Sequence, residues 1–160
     1  MEVNTKQVTG RRELHFESLD EIVEDARTLA KGAHKNLGNW SLGQVLKHLA
    51  VSAEIAVDGT TLKVPWMFRM MAKMMKKKML TSKMRAGFKF TEEMKPIFDP
   101  PNDTTTEQGL AALESAIERL KGTSDRAPSA AFGQLSAAEY DQLTLRHAEL
   151  HLSFILPEDG

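Results

Sequence analysis

His147 and His151 stand four residues apart in the run Leu145-Arg146-His147-Ala148-Glu149-Leu150-His151, and His48 lies far upstream in Trp40-Ser41-Leu42-Gly43-Gln44-Val45-Leu46-Lys47-His48. Four helical residues make slightly more than one turn, so His147 and His151 project from one face as stacked neighbours. Two neutral imidazoles held that way form half of a divalent metal site. A third, from another helix, would complete a three-nitrogen site with a position left open, as catalytic metal ions require. The plainer alternative is three unrelated histidines, each hydrogen-bonded in a core. That alternative weakens for the pair, because two buried imidazoles one turn apart repel when both are charged.

Two zinc-helix motifs are excluded. His-Glu-x-x-His needs a glutamate directly after the first histidine, where this chain has Ala148. His-x-x-Glu-His needs one directly before the second, where it has Leu150. Glu149 falls on the far side of the helix, so it does not serve as a general base in the same pocket. The absence of cysteine removes disulfides, thiolate zinc sites and any cysteine nucleophile. A metal must be held by His and carboxylate, and thiol chemistry must use an external thiol.

The elements that would position these groups are helical. Ser18-Leu19-Asp20-Glu21, Ser41-Leu42-Gly43-Gln44 and Ser136-Ala137-Ala138-Glu139 each spell a capping box ahead of a periodic apolar run. The first helix is expected to run to about Ala33 and the last to end before Pro157. A further helix spans Thr106 to Lys121, with Leu110, Leu113, Ile117 and Leu120 on one stripe. Residues 98–105 and 123–135 read as loops, and strand signals are nearly absent outside a short extended piece at Glu13–Phe16. On the last helix, Tyr140, Leu143, Thr144, Phe154 and Ile155 lie within about 60° of the histidine pair, while Arg146, Glu149 and Ser153 lie on other faces. His48 shares its face with Gln44, Val45, Val51, Ser52 and Ile55. Gln44, Ser52, Tyr140 and Thr144 are therefore the polar candidates to line a pocket. His15 and His34 are assigned to capping or solvent, His34 because it follows a helix end.

Residues 65–79 (PWMFRMMAKMMKKKM) form a separate problem. Pro65 can open a helix. Methionine stripes usually pack, so the expectation is an extra helix laid on the others with Met filling irregular gaps. A basic amphipathic helix also suits a membrane surface or a partner, and a third reading is a lid over the site.

Asn39-Trp40-Ser41-Leu42-Gly43-Gln44-Val45-Leu46-Lys47-His48-Leu49 and Asp141-Gln142-Leu143-Thr144-Leu145-Arg146-His147-Ala148-Glu149-Leu150-His151 together resemble two motifs of the DinB/YfiT-like superfamily of metalloenzymes, in a bacterial branch of unknown function. The first resembles its Trp-Ser-x-x-x-x-x-x-His-Leu opening of the second helix, the second its His-x-x-x-His helix near the C-terminus. The resemblance extends from about Arg12 to Glu158. It implies an all-α fold: a four-helix bundle of up-down-down-up type, with the Met/Lys-rich helix as an extra in the crossover. It also implies that His48, His147 and His151 hold a divalent metal at one end of the bundle. Related proteins include thiol-dependent transferases and isomerases that use mycothiol, bacillithiol or glutathione, and dimers are common among them.

The expected function is thus a metal-dependent enzyme acting on a small molecule, either a thiol-dependent transferase or a hydrolase. Its cofactor would be Zn, Ni, Fe or Mn, since neutral imidazole suits all four. Its cosubstrate would be a low-molecular-weight thiol. The rival is a non-catalytic bundle that binds a ligand or partner. The 160 residues suit one domain over 1–160, and the net charge of −1 gives no support for direct nucleic-acid binding. A polar N-terminus and the lack of a long apolar run predict a cytoplasmic protein without a transmembrane segment. Leu145 and Leu152, placed on the outer side of the last helix, are the expected seam of a homodimer.

Overall fold

A computed structural model describes residues 2–158; Met1, Asp159 and Gly160, the ends of the expected 1–160 domain, lie outside the described residues. The chain is mostly helical. In order come α1 (Leu19–Lys31), β1 (His34–Asn36), α2 (Leu42–Asp58), α3 (Trp66–Thr81), α4 (Lys95–Phe98), α5 (Thr106–Lys121), α6 (Ala137–Leu152) and β2 (Ile155–Pro157).

Four helices begin at a side-chain cap. Ser41 and Gln44 complete a reciprocal box at α2, as do Ser136 and Glu139 at α6. At α1 only one arm of the expected box forms. Ser18 accepts from the Glu21 amide, but the Glu21 carboxylate reaches back to the Glu17 amide instead. A further box, Thr105 with Gln108, opens α5.

End-to-end contacts fix the helix directions. α5 runs parallel to α2. Their N-terminal ends meet where Gly109 lies against Gly43, so close that a Cβ at Gly109 would collide with the Gly43 carbonyl. Their C-terminal ends meet where Arg119 donates to both carboxylate oxygens of Asp58, at 2.5 and 2.6 Å. α1 is antiparallel to α5, since Asp20 meets Lys121 and Arg27 meets Glu114. α6 is antiparallel to α2. Tyr140, in its first turn, donates to the Ala127 carbonyl, while the Ala127 amide donates to the Ala56 carbonyl near the end of α2. Parallel neighbours cannot be joined by a tight turn, so residues 59–105 must travel back along the fold.

One apolar core runs through the four capped helices, with Leu46, Leu113, Leu120 and Leu152 wholly shielded from solvent. Ala50, Ala53 and Ala116 let the helices approach between these larger groups.

Three expectations need correction. Leu145 and Leu152 are buried, not displayed on an outer face. The reason is that α1 packs against α6 and an N-terminal arm is tied to α6 beside it. The Arg12 amide donates to the Ser153 carbonyl, and Glu149 accepts from the Phe16 amide at 2.7 Å while pairing with Arg146 at 2.8 Å. Arg146 in turn donates to the Phe16 carbonyl. Arg146 and Glu149 do face away from the histidines, but into a buried clasp. Second, a strand pair exists where almost no strand was expected. β1 and β2 pair antiparallel, His34 opposite Pro157 and Asn36 opposite Ile155. The Glu13–Phe16 piece forms no strand.

Third, the methionines of α3 do not fill a core. Met67, Met70, Met71, Met74 and Met75 are exposed, as are Trp66 and Phe68. Only Leu80 is buried in α3, with Ala72 and Met79 partly packed. α3 has no side-chain cap and lies against α6 with its inner side, where Lys76 pairs with Glu139 at 2.7 Å. Among the described residues no helix is long and apolar enough to cross a membrane.

Candidate metal centre

The three histidines converge. His48 comes from the middle of α2, whose Ser41 cap fixes the helix phase. His147 and His151 come from the last two turns of α6. One ring nitrogen from each lies within 4.8 Å of the other two. Nε2 of His48 and Nε2 of His147 are 3.1 Å apart. Two nitrogens bound tetrahedrally to one ion at about 2.0–2.1 Å sit about 3.3 Å from each other, so this pair already has the spacing of co-ligands. The rings are not stacked. The planes of His147 and His151 make an angle of 89°, and His48 is inclined at 72° and 62° to them, so nitrogen edges rather than ring faces meet.

Protonation favours the same reading. His48 Nδ1 donates to the Phe98 carbonyl at 2.8 Å, because a carbonyl can only accept. The proton therefore sits on Nδ1 and the Nε2 lone pair faces the cluster, the outer hydrogen bond that metal-binding histidines use to fix their tautomer. Burial lowers the pKa of His48, partly offset by that bond. Burial and the neighbouring His48 push His147 down to about 3, and His151 is held well below its ordinary value by burial and both neighbours. All three rings are neutral at pH 7, so an ion displaces no proton from their charged forms. Beyond the His48–His147 contact, neither His147 nor His151 has a side-chain hydrogen bond among the described residues, so no other group competes with a ligand for their nitrogens.

Residues 8–158 match the family described as Protein of unknown function (DUF1569). The chain belongs to this family. No curated protein and no solved structure matches it. In this DUF1569 chain the histidine cluster forms part of the wall of an open cleft of about 1470 Å³. The cleft is closed on one side by aromatic rings. Trp40 stacks on His151 at 5.5 Å with an 18° interplanar angle and also lies 4.8 Å from His48. Phe90 stacks on Trp40 and on Phe98, both at 5.9 Å. The β1–β2 pair explains how Trp40 gets there. It ties the start of α2 to the end of α6, and the Leu37 amide continues the pairing to the Phe154 carbonyl.

His147 and Ser52 also face a second, smaller apolar pocket of about 230 Å³, which Tyr140 and Thr144 line with Leu49, Leu113 and Leu143. The hydroxyls there are committed to backbone: Ser52 donates to His48, Thr144 to Tyr140 and Tyr140 to Ala127. Gln44 lines neither space. Its amide group closes the α2 cap and reaches the Pro100 carbonyl and Asn102 Oδ1, so it braces the loop behind Phe98. His34 and His15 stay outside the cluster. His34 Nδ1 lies 3.3 Å from the Gly32 carbonyl, and His15 is exposed beside Arg146.

Phe90, Phe98 and Asp99 escaped the sequence reading. Asp99 lines the cleft and its charge acts on His48. A lone aromatic or acid in an irregular run has no period to betray its direction. The one available signal was the FDPPND string, whose prolines mark a rigid loop able to present a fixed carbonyl.

Proposed function

We propose that this chain is a metal-dependent enzyme of DinB/YfiT-like type. The bundle consists of α1, α2, α5 and α6 in up-down-down-up order, with α3 as an addition in the crossover. His48, His147 and His151 hold one divalent ion, and the substrate is a small molecule that enters the open cleft. The observation that carries this reading is the convergence of three neutral imidazole nitrogens, two of them 3.1 Å apart, on the wall of a cleft. A protein-filled coordination sphere would argue for a structural ion, whereas three ligands facing a cavity suit a catalytic one.

Once bound, a divalent ion would supply Lewis acidity toward a water or toward the sulfur of an external thiol. The remaining tasks fall to this chain's own residues. The Phe98 carbonyl holds the His48 proton on Nδ1 and keeps Nε2 available. Trp40, Phe90 and Phe98 exclude water from one side of the cluster, and Trp40 fixes the ring of His151 by stacking. The absence of cysteine means that a sulfur nucleophile must arrive with a cosubstrate, such as a low-molecular-weight thiol.

The test is elemental analysis of protein purified without a histidine tag, alongside His48→Ala and His147→Ala. About one transition-metal ion per chain is expected, lost in both variants with helix content retained by circular dichroism. An ion-free protein that still takes up nothing after incubation with Zn, Ni, Fe(II) and Mn would overturn the metal centre. The apolar pocket beside His147 would then favour a non-catalytic bundle that holds a ligand.

A further inference from the structure

The net charge of −1 conceals a strong separation of charge. Residues 59–91 contain nine Lys and Arg (Lys63, Arg69, Lys73, Lys76, Lys77, Lys78, Lys83, Arg85 and Lys89) and no Asp or Glu. Only Lys76 of these nine forms an ion pair among the described residues. Elsewhere the chain pairs its cations freely: Arg12, Arg27, Arg119, Lys121, Arg126 and Arg146 all meet carboxylates. The same segment holds nearly all the exposed large apolar side chains. Trp66, Met67, Phe68, Met70, Met71, Met74, Met75 and Phe88 are exposed, with Met74 at 85%.

The two properties share one surface. At about 100° per residue, Met67, Met70, Met71 and Met74 share an arc of about 100° on the side of α3 turned away from α6. Lys77 and Lys78 continue that side one turn later, and Lys73 flanks it. The inner side, Ala72, Lys76, Met79 and Leu80, is the part that packs. An apolar face of this kind on a soluble fold marks an interaction site.

We propose that α3 is an interfacial anchor that seats this protein on an anionic lipid bilayer. Charge complementarity selects that occupant. A second copy would bring a like-charged surface against this one. A bilayer of anionic lipids supplies negative charge at the depth where lysines reach and hydrocarbon where Met, Trp and Phe reach. The face is convex and made of long, adaptable side chains, which suits a fluid surface. Lysine stems can lie along the apolar boundary while their ammonium groups stay among headgroups. Trp66, at the first turn, has the amphipathic ring that settles at a membrane–water boundary. α3 has 16 residues, about 24 Å of helix, and lies in the plane rather than across the bilayer. Met75, Lys78 and Met79 also line the histidine cleft, so the anchored protein would open that cleft beside the lipid surface.

The experiment is co-sedimentation of the full chain with vesicles of phosphatidylglycerol and phosphatidylcholine, and with phosphatidylcholine alone, at low and high salt. Binding is expected on the anionic vesicles and should weaken steeply with salt. A Lys73→Glu, Lys77→Glu, Lys78→Glu variant should bind at least about tenfold more weakly, because each basic group near the surface contributes to the attraction. A Met70→Glu, Met74→Glu variant should lose binding to a similar degree. All five side chains are exposed, so both variants should keep the melting temperature of the parent. No vesicle binding, or equal binding to neutral vesicles, would overturn the proposal. So would binding that only the lysine variant weakens, which would be surface adsorption without insertion. Binding to polyglutamate with none to vesicles would reassign the face to an acidic protein partner.

Discussion

α2 and α3 have nearly equal lengths and comparable apolar content, yet they live in opposite environments. α2 is capped by Ser41 and Gln44 and buries ten of its residues, including His48; α3 has no side-chain cap and buries only Leu80. Burial is a property of the partner as much as of the helix. The small residues of α2, Gly43, Ala50 and Ala53, let α5 come close enough to form a core. α3 offers long flexible side chains around its whole circumference and meets only one neighbour closely, α6. The stability of the fold should therefore reside in the first kind of helix and its contacts with the outside in the second.

Substitutions can break that contrast. Leu46→Ala removes a wholly buried side chain from α2 and should cost about 2–5 kcal/mol in urea-induced unfolding. A cost below 1 kcal/mol would show that the α2–α5 contact is loosely packed. Gly109→Ala tests the same contact by adding one methyl group where the Gly43 carbonyl leaves no room, and should destabilise by about 1–3 kcal/mol. Unchanged stability would mean that the two helices can slide apart without penalty.

Acid offers a third route. The folded-state pKa values of His48, His147 and His151 are all lowered, His147 to about 3. In the unfolded chain they return to about 6.5. Between those values the unfolded state binds more protons, so the metal-free protein should lose stability as pH falls through about 6.5 and continue losing it toward about 3. Melting curves between pH 7 and pH 4 check this, and His147→Ala should flatten the slope. A slope unchanged in that variant would show that the histidines are not the buried titrating groups. The smallest effect belongs to α3. Met74→Ala should alter unfolding by less than about 0.5 kcal/mol, as surface substitutions do. A larger loss would place α3 in the core after all.

The same contrast explains what was legible in the sequence. Caps and helical periods are local, so α2, α5 and α6 could be located, and the four-residue spacing put His147 and His151 on one face. His48 joined them through the resemblance and through its place on an apolar face. Leu145 and Leu152 were misplaced because a helical wheel sees one helix. It cannot see α1, or the arm at Arg12–Phe16 whose contacts with α6 span 130 residues or more in sequence. The methionines were misplaced because composition states what can be buried and not whether a cavity exists to receive it. The lysines threaded among them carried the better signal. The aromatic wall and the Phe98 carbonyl were illegible, since irregular chain has no period from which direction can be read.

Because α2 and α5 are parallel, the chain must spend residues 59–105 on the return journey, and much of the cleft wall opposite the histidines is made from that return. The histidine corner and the wall facing it therefore answer to different constraints. A lengthened or recomposed return would reshape what the cleft accepts while the imidazoles stayed fixed on α2 and α6, since added loop length carries only a slowly growing entropic cost. Divergence among proteins with this architecture should be concentrated there, around imidazoles that keep their place.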